Sequence, residues 1–146
     1  MPDAGGDDIP RRTRKIENSE TKYRNIYYLC SMKTNNMEQR IIFDHAVAQL
    51  HSFTPDGEGI AEYHLIIHTE GGCRTFQQQL DALLDAYSQL LSSALPGGAV
   101  AVFKRYFLSD AANQADLVVA SDTSDCAKSI VQQPPLDGSK VALWAY

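Results

Sequence analysis

The sequence predicts an α+β fold, a mixed β-sheet with two helices on one face. Three observations predict it. The stretch from Phe76 to Leu91 carries apolar side chains at helical spacing. Shorter runs rich in β-branched and aromatic residues stand on either side of it, bounded by Gly, Pro and Asp turn chemistry. With 146 residues, 44% of them hydrophobic, the chain suits one core, so these segments must share one pair of layers.

Residues 1–36 are read as a disordered N-terminal extension. Met1 to Pro10 is rich in Gly and Asp, and the rest of this stretch is polar with no sustained period. Met32 and Met37 are candidate start sites, which would make the preceding residues an upstream extension. The folded domain is placed at 37–146. Its first strand is Arg40 to Val47, with imperfect alternation. Thr54-Pro55-Asp56-Gly57-Glu58-Gly59 is a turn, and Tyr63 to His68 is the second strand of a hairpin. Gly71-Gly72 breaks the chain.

Phe76, Leu80, Leu83, Leu84, Tyr87, Leu90 and Leu91 form one apolar helix face, while Gln77, Gln78, Asp81, Asp85, Ser88 and Gln89 fall elsewhere. Thr75 with Gln78 makes a capping box, each side chain satisfying an orphan backbone N–H of the first turn. Pro96-Gly97-Gly98 ends the helix. Ala99 to Leu108 is a strand with Val100, Val102, Lys104 and Tyr106 on one face and Ala101, Phe103, Arg105 and Phe107 on the other. Ser109-Asp110 caps a short helix, Ala111 to Ala120, with Ala111, Ala115, Val118 and Val119 on one side. Ser129 to Gln133 is a strand, Pro134-Pro135 and Asp137-Gly138 form a turn, and Lys140 to Tyr146 is the last strand. The predicted order is β-β-α-β-α-β-β. One sheet face is left uncovered, and a symmetric oligomer is the simplest way to bury it.

Thirteen Lys and Arg against 18 Asp and Glu give a net charge of −5, unevenly spread. Residues 1–36 hold seven of the basic and five of the acidic groups, which leaves residues 37–146 at −7. An acidic body is poorly suited to a phosphate backbone, so no nucleic acid partner is expected. The basic run Arg11 to Lys15 is read as a solvated tail. No apolar run reaches the roughly 20 residues of a membrane helix. Cys30, Cys73 and Cys126 are odd in number and share no CxxC spacing, which argues against a disulfide framework or a four-Cys zinc site. Reduced thiols and the absence of a signal-like start favour a cytoplasmic setting.

Few residues carry chemistry on their own. His64 and His68 share a strand face, but about 13 Å apart at strand rise, too far for one metal ion. There is no HExxH, GxSxG or P-loop pattern, so neither metal nor cofactor is expected. Gly71-Gly72 ahead of a helix is a weak phosphate signal. Phe103, Tyr106 and Phe107 beside Lys104 and Arg105 fit either RNA stacking or a core strand with two exposed charges, and the acidic body favours the second.

Three stretches of the C-terminal half, taken in order, carry a resemblance. They are the helix running into Pro96-Gly97-Gly98, the strand Val102-Phe103-Lys104-Arg105-Tyr106-Phe107-Leu108 with Ser109-Asp110, and Cys126-Ala127-Lys128-Ser129-Ile130-Val131-Gln132. Val141 to Tyr146 takes the place of a closing strand. Over residues 39–146 the chain resembles the Rid family (YjgF, also called the endoribonuclease L-PSP or translation-initiation-inhibitor family). The resemblance implies a chorismate mutase-like, YjgF-like fold, a homotrimer or a pairing with a second copy of the fold, and small-molecule clefts between subunits. The usual activity is hydrolysis of enamines and imines, with a signature Arg pairing the substrate carboxylate. Lys128 stands where that Arg would be, keeping the charge and losing the bidentate fork. Ala142, Leu143 and Trp144 stand where the closing strand usually presents a Glu. The segment from Asp110 to Cys126 is shorter than usual.

These departures predict little or no imine hydrolysis, because such a site needs its clamp and its water in register. The expected function is binding of a small anionic metabolite at a subunit or domain interface, through Lys128, Ser129 and Cys126. The plainer reading of Lys128 is a surface lysine at a strand start, and of Cys126 a small buried side chain. A second reading is an enzyme acting on a carboxylated small molecule. A third is a non-catalytic half of a longer protein, since the chain stops on Tyr146 at the end of an apolar strand.

Overall fold

The computed structural model describes residues 37–54, 59–70 and 75–146. The expected N-terminal extension lies outside the described residues, as do Gly71, Gly72, Cys73 and most of the 54–59 turn. Eight elements make up the chain in order: β1 (Met37–Ile42), β2 (Ala46–Phe53), β3 (Glu62–Thr69), α1 (Phe76–Ser93), β4 (Phe103–Leu108), α2 (Ala111–Ser121), β5 (Ala127–Gln132) and β6 (Val141–Ala145). The six strands form one mixed sheet in the order β1-β2-β3-β6-β4-β5. Only β4 and β5 run parallel, joined through α2 as a crossover.

The first expected strand is corrected. Arg40 to Val47 is two strands, not one, which makes the order β-β-β-α-β-α-β-β. The chain reverses at Asp44-His45, where Phe43 N donates to Ala46 O at 2.8 Å, and Ile42 pairs with Val47. Asp is a turn former by its side-chain chemistry, but the apolar residues around it hid the break. Strand β2, Ala46–Phe53, interleaves Ala, Gln, His and Ser, a composition of weak β propensity. Tertiary packing makes it a strand, with Ala46, Ala48 and Leu50 buried in the core.

The expected strand 99–108 begins only at Phe103. Gly98 adopts φ +95°, and Ala99 N closes back on Pro96 O at 3.2 Å, so the chain turns at 96–99, and backbone pairing begins at Val102, whose N donates to Tyr146 O at 2.8 Å. Helix α1 forms as expected, with the reciprocal Thr75–Gln78 capping box in place. Asp110 holds the N-cap position of α2 without a capping bond; its carboxylate accepts from Asn113 Nδ2 at 2.6 Å. On α2, Gln114 and Val118 are buried, while Val119, expected on the apolar side, is exposed.

Both helices lie on one face of the sheet. Helix α1 packs on β2, β3 and β6, α2 packs on β4 and β5, and the two helices touch. Leu80, Leu83, Ala86 and Leu90 of α1 meet Leu50, Leu65, Ile67, Leu143 and Tyr106 in a single core. Strand alternation then sends His64, Ile66, Phe103, Arg105, Phe107 and Trp144 to the opposite face, which no described element covers, although Val47 at its β2 end is fully buried.

Candidate functional site

The three residues singled out from sequence sit at the start of β5 but do not converge. Lys128 and Ser129 are neighbours in a strand and therefore point to opposite faces. Lys128 pairs in register with Lys104 and lies on the helix side, exposed, its Nζ donating to the Ser124 carbonyl. Ser129 pairs with Arg105 and lies on the open face. Cys126 is half-buried, its Sγ 3.5 Å from Ser124 Oγ.

Beneath Lys128 lies a buried polar cluster that sequence reasoning missed. Lys104, expected as an exposed charge, is only 1% exposed. Its Nζ donates to Asp122 Oδ1 and Oδ2, both at 3.1 Å, and to Ser124 Oγ at 2.9 Å, and stands 4.0 Å from the centroid of the Tyr87 ring. Asp122 also accepts from Tyr106 Oη at 2.7 Å, from Ser124 Oγ at 2.7 Å and from Ser124 N at 3.1 Å. Burial alone would raise the Asp122 pKa. The bonds from Ser124, Tyr106 and Lys104 outweigh it and hold the carboxyl down to about 2. Burial pushes the Tyr87 phenol up to about 12, helped by the negative groups near it. Burial and the bond to Asp122 push Tyr106 further in the same direction. Ammonium and carboxylate are both sealed from solvent, so neither offers acid–base chemistry to a substrate. The cluster instead ties the 122–126 loop, and with it Cys126, to β4 and α1.

The open face carries a second set of groups. His64 of β3 stacks on Tyr146, centroids 4.8 Å apart, and lies parallel to Trp144 within 10° at 6.0 Å. Phe53 meets His64 edge-on at 5.5 Å, and Phe103 meets Trp144 at 5.7 Å. The guanidinium of Arg105 lies 5.3 Å from the Phe103 centroid and 5.7 Å from that of Trp144. Its Nε is buried, the one such side-chain atom among the described residues with no hydrogen-bond partner. The sequence signal for this group was the alternation Phe103-Arg105-Phe107. Missing from it was the placement of β6 beside β4, which brings Trp144 opposite Arg105.

A cavity of about 340 Å³ opens elsewhere, between the C-terminal part of α1 and the ends of β3 and β6. Leu91, Leu95, Val100 and Val102 make it largely apolar, and none of Cys126, Lys128 or Ser129 lines it. Among the described residues no cluster of three or more His, Cys, Asp or Glu is placed to hold a metal ion. No described helix is long and apolar enough to cross a membrane. No family model matches the chain, and no curated protein matches it significantly.

Proposed function

We propose that the chain is a divergent domain of the Rid type with the YjgF-like fold, working as an assembly of copies of that fold and binding a small anion where they meet. The single observation carrying this reading is the half-covered sheet. Among the described residues, its six strands bury one face under two helices, and the other carries the exposed Ile66 and the half-buried Trp144, Phe103, Phe107 and Val131 around Arg105, whose Nε has no hydrogen-bond partner. Ile66, near the centre of that face, is 40% exposed. A contiguous apolar sheet face of this kind marks an interaction surface, and a second copy is the simplest partner for it.

Lys128 stands on edge strand β5 with its side chain on the helix side, so the anion held by its exposed charge lies at that edge of the sheet, where copies adjoin, and not on the open face itself. Its ammonium acts as a point charge and lacks the fork of an arginine. No carboxylate stands on β6, where Ala142, Leu143 and Trp144 are consecutive, so binding without imine hydrolysis is the activity expected.

The test is the mass in solution by light scattering. A trimer of three 16.2 kDa chains is expected, reduced to a monomer by Ile66→Glu. A wild-type monomer at every concentration would remove the assembly.

A further inference from the structure

Spacing along one strand keeps His64 and His68 from sharing an ion, but the pairing of β2 with β3 gives His64 a nearer partner. His51 of β2 stands directly opposite His64 in the antiparallel register. Directly opposed residues share a sheet face, and their Cβ atoms lie about 5 Å apart. Both imidazoles therefore stand side by side on the open face, each half-buried.

These two rings differ from the other histidines in what their nitrogens meet. His45 Nε2 lies 3.4 Å from an Asp44 carboxylate oxygen, and His68 Nε2 lies 3.8 Å from one of Glu70. His51 has no hydrogen bond, ion pair or ring contact among the described residues. His64 is held by rings alone: it stacks on Tyr146, lies parallel to Trp144 and meets Phe53 edge-on. Packing thus orients the His64 ring and leaves its nitrogens without a hydrogen bond among the described residues.

The surroundings favour a cation. Glu38 of β1 stands opposite His51 in the same row, and Glu62 precedes His64 by two residues on the same face. The two arginines of this face, Arg40 and Arg105, both stand in the next row, that of Ile66. Arg40 is already paired with Glu70 at 3.1 Å. The −7 charge of residues 37–146 attracts cations at longer range.

The donors select the ion. Imidazole nitrogen suits zinc, copper and nickel, whereas magnesium and calcium take oxygen ligands. Two nitrogens on one tetrahedral zinc stand about 3.3 Å apart, a separation that two rings on directly opposed positions reach by side-chain rotation. No third His, Cys, Asp or Glu among the described residues is placed to join them, so the pair is a two-point chelate whose other positions fall to water.

We propose that His51 and His64 chelate one divalent ion of the zinc, nickel and copper class, with Glu38 and Glu62 as flanking negative charge. Both ligands come from one chain, so the site goes beyond the proposed assembly and does not depend on it.

The full chain is titrated with zinc chloride, and in parallel with magnesium chloride, while the ring nitrogens of all four histidines are followed by NMR. Zinc is expected to move a ring nitrogen of both His51 and His64, to leave His45 and His68 still, and to saturate at one ion per chain. Magnesium is expected to move none. This readout uses the wild-type chain and does not depend on any variant folding. Calorimetry should show zinc binding weakened roughly tenfold or more in His51→Gln and in His64→Gln, and unchanged in His68→Gln. Shifts confined to one of the two rings, or an unchanged affinity in His51→Gln, would overturn the chelate. Saturation at one ion per two chains, with a rise in solution mass, would make the metal a bridge between copies and overturn it equally. A monomer with both rings shifted keeps the site and removes the assembly; a trimer with neither shifted does the reverse.

Discussion

Lys104 and Asp122 face each other across the end of α2, the ammonium equidistant at 3.1 Å from both carboxylate oxygens. Both side chains are almost completely buried, at 1% and 4% exposure. Removing two charges from water is costly, and their attraction offsets that only when the remaining donors and acceptors are also satisfied. Here Tyr106, Ser124 and the Tyr87 ring complete the set. The pair joins β4 to the loop before β5, the strand that runs parallel to it.

Breaking either half strands the other. Asp122→Ala leaves a buried ammonium and the Tyr106 hydroxyl without their acceptor. Lys104→Met leaves a buried carboxylate held only by hydroxyls and one amide. Each is expected to destabilise the fold by about 3–5 kcal/mol. The double change Lys104→Met with Asp122→Leu should cost clearly less than the sum, since no unpaired charge remains. Denaturant unfolding of the two single variants and the double gives the coupling, and strict additivity would contradict it.

Acid sensitivity arises from the same carboxylate. Its pKa falls from the ordinary 3.8 to about 2 on folding, so the native state holds the proton less tightly than the unfolded chain. The stabilisation is therefore present above about pH 4 and lost as the pH falls toward 2. Asp122→Asn should flatten this limb of stability against pH. Some slope remains, because Asp137, although burial opposes it, is also held below its usual value by bonds from Ser139. An unchanged acid limb in Asp122→Asn would show that the cluster does not set it.

The alkaline side has the opposite sign. Tyr87 and Tyr106 release their protons less readily folded than unfolded, Tyr87 at about 12 against an ordinary 10. Stability from Tyr87 is complete below pH 10 and is lost as the pH rises through about 12. Tyrosinate absorbance should show both phenols silent until the fold gives way. Tyr87→Phe keeps a ring over Lys104 and should remove one late-titrating group with little effect at pH 7.

Lys128 contrasts with Lys104 one strand away. It is exposed, and its bond goes to a backbone carbonyl, so Lys128→Ala should change stability by no more than about 0.5 kcal/mol. Loss of a thermal shift by a small anion in this variant, with the fold intact, is what the rim site requires. An unchanged shift counts against Lys128.

The contrast between these two lysines also marks what was legible in the sequence. Period alone revealed α1, its capping box, the strand faces of β4 and the closing strand, because each is decided by neighbours within a few residues. The β1–β2 reversal was hidden, since Asp44 is a single turn former inside an apolar run. Burial of Lys104 was hidden for a different reason: its partner lies 18 residues on, in a loop with no pattern of its own. Arg105 was placed on the right face, but the ring opposite it is contributed by β6, and strand order is a long-range fact.

Long-range order also rests on one side-chain bond. Gln79 of α1 is buried, and its Oε1 accepts from Lys140 N at 2.7 Å, across 61 residues of chain. That bond holds the entry to β6, the strand that carries Trp144 into the open face. Gln79→Met fills a similar volume without an acceptor and leaves the Lys140 N–H unmatched, at a cost of about 1–3 kcal/mol. Hydrogen exchange at Lys140 should then accelerate sharply. The amide of Tyr146, which donates to Phe103 O at 2.9 Å at the far end, should slow or hold relative to it. Equal acceleration along the whole strand would mean that Gln79 supports global stability and not the local entry to β6.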